Sequence, residues 1–248
     1  MTTWISGQII KVNHWTKNLF TLIINAPINT FIPGQFAKLG LKINNKRIQR
    51  AYSYVNAPNN LNLEFYLVNI ENGKLSPSLF MLCPGDNIMI SKEAYGNFIL
   101  ENIPNCNTLW MLATGTGIGP YLSMLEFKKG LQRFTNIILV HAVRSFDNIN
   151  YLPLIRKIKK HYKEKIKIQM IFSREIIKHS LTGRLPNLIK SGLLEKYVGF
   201  ELNARESHVM LCGNPNMIRE VQELLQKTRG MKNNLKNQPG QITKEQYW

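Results

Sequence analysis

The spacing of apolar residues changes near residue 104, and this change constrains the fold more than any other feature of the sequence. Before it, short apolar runs rich in β-branched and aromatic residues are separated by turn residues such as Pro33-Gly34 and Asn72-Gly73. Such runs predict antiparallel strands over residues 5–12, 19–24, 35–41, 48–55, 61–68 and 87–91. The first part of the chain is therefore expected to form an antiparallel barrel or sandwich.

After residue 104 the pattern alternates between strands and helices. Strands are predicted over residues 108–113, 136–142, 165–172 and 208–212, and helices over residues 120–129, 151–162, 185–191 and 216–228. This alternation indicates a parallel sheet with helices on both faces. We predict two domains, residues 1–104 and 105–248, with a surface loop over residues 232–241.

Length, hydropathy and cysteine content argue against several classes of protein. The 248 residues contain no apolar run of about 18 residues, the length that a membrane-spanning helix needs. The first residues also lack the pattern of a secretory signal, so we expect a soluble, cytoplasmic protein. Cys83, Cys106 and Cys212 lie far apart without a C-x-x-C pair, so we expect neither a disulfide framework nor a metal site.

The charge is strongly positive, with 32 Lys and Arg against 15 Asp and Glu, a formal net charge of +17. Such an excess favours an anionic partner, which is a nucleic acid, a membrane surface or an acidic protein. A codon bias toward A and T would also raise the lysine content. The basic residues do not form a block with interleaved aromatics, so nucleic acid is not the expected partner. Nothing in the sequence demands an oligomer, and we expect a monomer.

A glycine-rich segment between a predicted strand and a predicted helix suits an anion. It reads Ala113-Thr114-Gly115-Thr116-Gly117-Ile118-Gly119-Pro120. Backbone N–H groups at such a turn bind phosphate, glycines allow its close approach, and proline suits the first helical turn. The same segment taken alone is equally consistent with a tight turn.

The next predicted strands end in arginine where NAD-binding folds tend to carry an acidic residue. Arg144 follows the second strand, Ser173 and Arg174 follow the third, and Arg184 comes shortly afterwards. Guanidinium groups pair with a 2′-phosphate and cannot accept a hydrogen bond from a ribose hydroxyl. The pattern therefore favours NADP over NAD, although any one of these arginines could be a solvated surface charge.

Two segments of the first domain suit a flavin nucleotide. In Arg50-Ala51-Tyr52-Ser53, the tyrosine could stack on the ring, the serine could bond its reactive nitrogen, and the arginine could neutralise pyrophosphate. Gly73-Lys74-Leu75-Ser76-Pro77 precedes a short predicted helix and repeats the phosphate pattern. Each segment alone is also consistent with an ordinary strand or turn.

Together, five segments resemble the ferredoxin–NADP reductase superfamily, and in particular its bacterial flavodoxin/ferredoxin–NADP reductases. Three of them are the glycine-rich turn and the two flavin segments. The other two are Ser173-Arg174-Glu175 and Leu211-Cys212-Gly213-Asn214-Pro215. The resemblance covers essentially the whole chain, including its end at Tyr247-Trp248, where plant-type relatives end in a single tyrosine.

The resemblance implies an FAD-binding antiparallel β-barrel followed by an NADP-binding α/β domain. It implies that FAD is held by Arg50, Ala51, Tyr52, Ser53, Tyr66, Leu67, Val68, Asn69, Lys74, Leu75, Ser76, Thr116, Tyr247 and Trp248. It implies that NADP is held by Val143, Arg144, Ser173, Arg174, Arg184, Asn214, Pro215 and Asn216. The implied catalytic residues are Tyr52, Ser53, Cys212 and Tyr247, although a buried cysteine could also simply fill space.

The implied reaction is electron transfer between NADP(H), FAD and a small acidic carrier, flavodoxin or ferredoxin, with a basic surface that attracts the carrier. Two alternatives remain open at this point. A free-flavin reductase shares these domains, and a non-catalytic basic binding module would retain the fold without a cofactor. An electron-transfer subunit with an iron–sulfur cluster is disfavoured, because the cysteine ligands are missing.

Overall fold

A computed structural model of the chain describes residues 2–247, in which the strands form two separate six-stranded sheets. Each sheet belongs to its own unit. The first unit comprises the residues up to Ile99 together with Gly119–Phe127, and the second comprises Leu100–Ile118 and the residues from Lys128 onward.

The first unit is a curled antiparallel sheet. Its strands are β1 (Trp4–His14), β2 (Leu19–Asn25), β3 (Phe36–Ile43), β4 (Lys46–Ser53), β5 (Asn62–Val68) and β6 (Asn87–Ser91), in the order β4-β3-β6-β1-β2-β5. Helices α1 (Ser76–Phe80) and α2 (Gly119–Phe127) complete the unit. The concave face encloses a core that includes Phe20, Leu22, Ile24, Leu39 and Phe65, all fully buried. This arrangement confirms the predicted antiparallel barrel.

The edge strands β4 and β5 approach each other at one end. Tyr54 and Phe65 form an antiparallel bridge there, and the Val55 N–H donates to the Glu64 carbonyl at 2.9 Å. Within the described residues the pairing stops at this bridge, so β4 and β5 diverge along the rest of their length. The barrel is therefore closed at one end of this seam and open at the other.

The second unit is a parallel sheet. Its strands are β7 (Thr108–Thr114), β8 (Asn136–Val143), β9 (Ile166–Phe172), β10 (Leu181–Thr182), β11 (Ser207–Gly213) and β12 (Ile242–Gln246), in the order β10-β9-β8-β7-β11-β12. The helices are α3 (Leu152–Tyr162), α4 (Leu185–Lys190), α5 (Leu193–Val198) and α6 (Pro215–Arg229). Because all neighbours are parallel, every strand ends at the same edge of the sheet. Short 3₁₀ helices occupy Leu100–Asn102, Gly115–Ile118, Leu131–Arg133, Phe146–Asn148 and Lys163–Lys165.

The predicted α/β domain is confirmed, with three additions that the hydrophobic pattern did not predict. One is the two-residue strand β10, which pairs with β9. Helix α5 is a single short helix after α4. Strand β12 has the sequence Ile-Thr-Lys-Glu-Gln, which is too polar to predict a strand, and it forms by pairing with the fully buried β11. None of the helices in residues 2–247 combines the length and the hydropathy that crossing a membrane requires.

Candidate active site

The open seam of the barrel brings together two stretches that are predicted to hold the flavin nucleotide, residues 50–53 on β4 and residues 66–69 at the end of β5. Continuing the Tyr54–Phe65 register, Tyr52 would face Leu67 and Arg50 would face Asn69 across the gap. Arg50 and Tyr52 pair with Leu39 and Ala37 of β3, so they project from the face that carries the core. Within residues 2–247 the edges of β4 and β5 are not paired with each other beyond the Tyr54–Phe65 bridge, and they flank a slot at the barrel opening.

A buried amide oxygen beside this slot, the Asn69 Oδ1, lacks a hydrogen-bond donor within residues 2–247. The Gln49 Oε1 also lacks one, but Gln49 pairs with Gly40 and its side chain lies on the opposite face of β4 from Arg50. Since a buried acceptor without a partner is costly, Asn69 suits a ligand that supplies N–H or O–H donors. A flavin nucleotide has such donors on its ring and its ribityl chain, and the exposed Arg50 adds a positive charge at the slot. The slot therefore fits FAD.

Tyr52 and Ser53 lie at the end of β4 nearest the closed part of the seam. Ser53 is 8% exposed, and Tyr52 is half-buried against the barrel core. Burial raises the pKa of the Tyr52 phenol to about 12, although the positive charge of Arg50 opposes the shift. The phenol is therefore neutral and a hydrogen-bond donor at physiological pH.

The predicted phosphate loop after β5 is held by its own serine. The Ser76 hydroxyl accepts from the Ile70 N–H at 3.0 Å, and Ser76 begins α1. Lys74 is exposed, whereas Leu75 is buried in the barrel core. The loop is thereby joined to the end of β5, immediately after Asn69, and the exposed Lys74 is the charged member of this segment.

Three arginines lie at the carboxyl edge of the parallel sheet, as predicted. Arg144 directly follows β8 and Arg174 follows β9, and the two are joined because the Arg174 N–H donates to the Arg144 carbonyl at 3.0 Å. Arg184 follows β10, and its Nη2 lies 3.3 Å from the Glu220 Oε1. Within residues 2–247 no ion pair involves Arg144 or Arg174. This edge therefore carries uncompensated positive charge suited to a phosphate.

The acidic residues near these arginines, Asp147 and Glu175, form no ion pair with them within residues 2–247. The Glu175 carboxylate accepts from the Phe146 N–H at 2.7 Å, at the start of a 3₁₀ helix. This charge-assisted hydrogen bond holds the carboxylate at the start of the 3₁₀ helix. Ser173 is exposed beside Arg174, and its own N–H continues the pairing of β9 with the Val143 carbonyl.

The glycine-rich turn at the end of β7 packs directly on the end of β11. A Cβ at Gly117 would lie 2.6 Å from the Cys212 carbonyl oxygen, a backbone atom that cannot rotate away. Gly213 has φ +122°, which residues with side chains rarely adopt, and a Cβ there would collide with the Thr114 Oγ1. Glycine is therefore required on both sides of this contact.

Thr114 and Asn214 connect the turn to helix α6. The Thr114 Oγ1 accepts from the Asn214 N–H at 2.8 Å. The Asn214 side chain caps α6 by accepting from the N–H groups of Asn216 and Met217, with Pro215 in the first helical position. Because its Oδ1 is engaged in the cap, Asn214 fixes the geometry of the segment after Cys212.

Strand β12 places Tyr247 beside Cys212. The Tyr247 N–H donates to the Gly213 carbonyl at 3.1 Å, and the phenol hydrogen-bonds the Cys212 thiol. Burial and the nearby Glu245 carboxylate raise the pKa of that thiol well above its usual value, although the bond to Tyr247 opposes the shift. Cys212 is therefore a neutral, compact group and not a thiolate nucleophile.

The predicted nucleotide residues thus form two sets along one edge of the sheet. Val143, Arg144, Ser173, Arg174 and Arg184 lie on the β8–β10 side, and Thr116, Cys212, Asn214, Pro215, Asn216 and Tyr247 lie on the β7–β11–β12 side. Trp248, also predicted to contact FAD, lies outside the described residues. Sequence reasoning did not identify Thr114 as a bridging residue, because its partner is distant in the chain.

Comparisons with known proteins agree with both halves of this description. The family model described as Oxidoreductase FAD-binding domain matches residues 8–98, and the one described as Oxidoreductase NAD-binding domain matches residues 111–223. The chain is 53% identical over 248 residues to a flavodoxin/ferredoxin–NADP reductase of Escherichia coli (strain K12), covering 100% of both chains. It is 51% identical over 257 residues to one of Buchnera aphidicola subsp. Schizaphis graminum, again covering 100% of both.

A solved structure extends the agreement to three dimensions. The crystal structure of a ferredoxin NADP+ reductase from Neisseria gonorrhoeae with bound FAD and NADP is 31% identical, with a TM-score of 0.92 and coverage of 99% of each chain. The two family models, the full-length identities and this likeness all point to one family. The chain therefore belongs to the flavodoxin/ferredoxin–NADP reductase family.

Proposed function

We propose that this chain catalyses electron transfer between NADP(H) and a small acidic carrier, flavodoxin or ferredoxin, through bound FAD. The convergence of the glycine-rich turn, the Cys212-Gly213 segment and the C-terminal strand on one edge of the sheet carries this proposal. These three segments are far apart in the chain. Their meeting point, with phosphate-binding arginines along the same edge, suits a nucleotide whose reactive end lies near Cys212 and Tyr247.

FAD, when bound, accepts two electrons from NADPH as a hydride and passes them on singly to a one-electron carrier. The protein supplies binding and orientation. The facing edges of β4 and β5 and the acceptor Asn69 hold the flavin nucleotide, while Arg50 and Lys74 neutralise its pyrophosphate. We assign this binding to a domain of residues 1–104 and the binding of NADP to a domain of residues 105–248.

Four residues have proposed roles close to the reacting atoms. Tyr52 stacks on the flavin and keeps its phenol protonated, and Ser53 donates a hydrogen bond near the reactive nitrogen. Cys212 lies beside the nicotinamide as a small, uncharged side chain. It leaves room for the ring, and its neutral thiol does not accept the hydride. Tyr247 is held by its bonds to Gly213 and Cys212, where it shields the reaction from water.

The Ser53 role has a direct test. Replacing Ser53 with Ala removes one hydroxyl next to the proposed hydride acceptor, so it should slow hydride transfer about tenfold while changing the Kd for NADPH less than twofold. Anaerobic stopped-flow measurement of flavin reduction over a range of NADPH concentrations separates the two quantities. An unchanged limiting rate would refute the role.

We propose that the carrier is an acidic protein. We also propose that the reductase is a cytoplasmic monomer and that it does not bind nucleic acid. A formal charge of +17 gives a positive field that attracts an acidic protein, and such attraction weakens as salt screens it. Cys83, Cys106 and Cys212 are all free, which suits a reducing compartment.

The experiment that tests the proposed function couples the protein to a carrier. Purified protein with FAD is mixed with NADPH and either a flavodoxin or a ferredoxin, and carrier reduction is followed at 20 and 300 mM NaCl. We expect reduction with both carriers and a higher KM for the carrier at high salt. Flavin that NADPH reduces but that transfers no electrons to either carrier would favour a different electron acceptor.

A further inference from the structure

His141 is a buried histidine that neither the family segments nor the proposed chemistry includes. It lies on β8, pairs in register with Ala113 of β7 and is 2% exposed. Its Nε2 lies 2.9 Å from the carbonyl oxygen of Gly115, the first residue of the glycine-rich turn. The ring therefore contacts the backbone of the nucleotide-binding turn from the interior of the sheet.

This contact fixes the protonation state of the ring. A carbonyl oxygen only accepts hydrogen bonds, so Nε2 must carry the proton and donate it. In the neutral ring Nδ1 is then an acceptor, and within residues 2–247 it is buried without a partner. Burial lowers the pKa of His141 to about 4, although the Gly115 carbonyl opposes the shift. His141 is thus a permanent neutral donor near pH 7.

The orientation of the Gly115 carbonyl determines the orientation of the next N–H group. In a trans peptide the C=O and the following N–H point in opposite directions. With the Gly115 carbonyl directed toward His141, the Thr116 N–H is directed away from the His141 ring. Backbone N–H groups of a glycine-rich turn at the start of a helix are the donors that such a turn offers to a bound anion or cofactor.

The turn is also fixed on its other side. Gly117 contacts the Cys212 backbone, and Thr114 holds the Asn214 N–H, so a rotation of the Gly115 peptide would disturb the end of β11. A donor at position 141 therefore stabilises one orientation of a segment whose neighbours shape the nicotinamide end of the site.

We propose that His141 is a positioning residue for the nucleotide half-reaction, which acts by holding the Gly115–Thr116 peptide with its N–H directed toward the ligand. The inference rests on the proposed function, because it requires a nucleotide at this turn. It predicts that flavin reduction and NADP+ binding depend on a hydrogen-bond donor at position 141 and do not depend on the imidazole ring itself.

Two isosteric replacements separate these possibilities. His141→Gln retains an N–H donor at the position of Nε2, whereas His141→Met has the same length and no donor. We expect flavin reduction by NADPH to slow about tenfold in the Met variant and to remain within about twofold of wild type in the Gln variant. Isothermal titration calorimetry should show weaker NADP+ binding in the Met variant alone. Oxidation of chemically reduced protein by ferricyanide, which needs no nucleotide, should be unchanged in both.

Nitrogen-15 NMR of the wild-type ring provides a readout independent of turnover, and it should show a proton on Nε2 alone between pH 5.5 and 8. Equal rates and equal NADP+ affinity in wild type and His141→Met would overturn the inference, as would equal losses in both variants or slowed ferricyanide oxidation. A wild-type protein that NADPH does not reduce would overturn the proposed function and this inference with it. A reducible wild type with an equally fast Met variant overturns the inference alone.

Discussion

Removing the two unpaired arginines should sharply reduce the preference for NADPH over NADH. Arg144 and Arg174 are exposed, adjacent through a backbone hydrogen bond, and without an ion pair within residues 2–247. A 2′-phosphate, present in NADPH and absent in NADH, would receive charge-assisted hydrogen bonds from both.

The size of the effect follows from the exposure of the two side chains. Charge-assisted hydrogen bonds contribute about 1.5–3 kcal/mol each, and solvent screening at this exposed edge favours the lower value. Two such contacts give about 3 kcal/mol, or roughly 150-fold in the ratio of kcat/KM for NADPH to that for NADH. Arg184 contributes less, because it must first give up its pairing with Glu220.

The assay compares Arg144→Ala/Arg174→Ala with wild type, using both nucleotides and ferricyanide as electron acceptor. A matched control is Lys165→Ala/Arg205→Ala, which removes the same charge at the opposite edge of the sheet, just before β9 and β11. In the control variant, the ratio of kcat/KM for NADPH to that for NADH should stay within about twofold of the wild-type ratio. In the test variant, this ratio should fall because the KM for NADPH rises. An unchanged ratio in the test variant, or an equal fall in the control, would refute the reasoning.

Three further predictions concern single residues. Glu220→Gln frees Arg184 from an exposed ion pair of about 0.2–1 kcal/mol, so the KM for NADPH should fall up to about fivefold and that for NADH should stay constant. Tyr54→Phe removes a buried hydroxyl that has no partner within residues 2–247, so urea unfolding should show an unchanged or higher free energy of unfolding. Burial lowers the pKa of His208 in the folded protein to about 4, whereas in the unfolded chain it is about 6.5. As the pH falls below about 6.5, the unfolded chain therefore binds a proton at His208 before the folded protein does, and the free energy of unfolding decreases. His208→Gln, which can still bond Thr243, should reduce the loss between pH 7 and 4.5 by about 2 kcal/mol in urea unfolding.

Parts of the site were predictable because they depend on strand order alone. Parallel strands end at one edge, so Arg144, Arg174 and the glycine-rich turn had to lie along the same side of the second sheet. Asn214-Pro215 was likewise predictable as a helix start, because asparagine caps and proline suits the first turn.

Other parts depend on register and side-chain direction, which the pattern of apolar residues does not contain. The slot between β4 and β5 exists because their pairing stops at Tyr54–Phe65, and beside it the buried Asn69 Oδ1 has no donor within residues 2–247. Strand β12 is too polar to predict, since Ile242 alone of its five residues is buried and the strand depends on its pairing with β11. The contact of His141 with Gly115 needs the register of β7 and β8, which sequence spacing leaves open.

The most direct test of the proposed function is anaerobic stopped-flow absorbance of the purified protein after reconstitution with FAD. We expect flavin bands that NADPH bleaches rapidly and NADH bleaches at least tenfold more slowly at equal concentration. A protein that binds no flavin, or a bound flavin that neither nucleotide reduces, would contradict the proposed function.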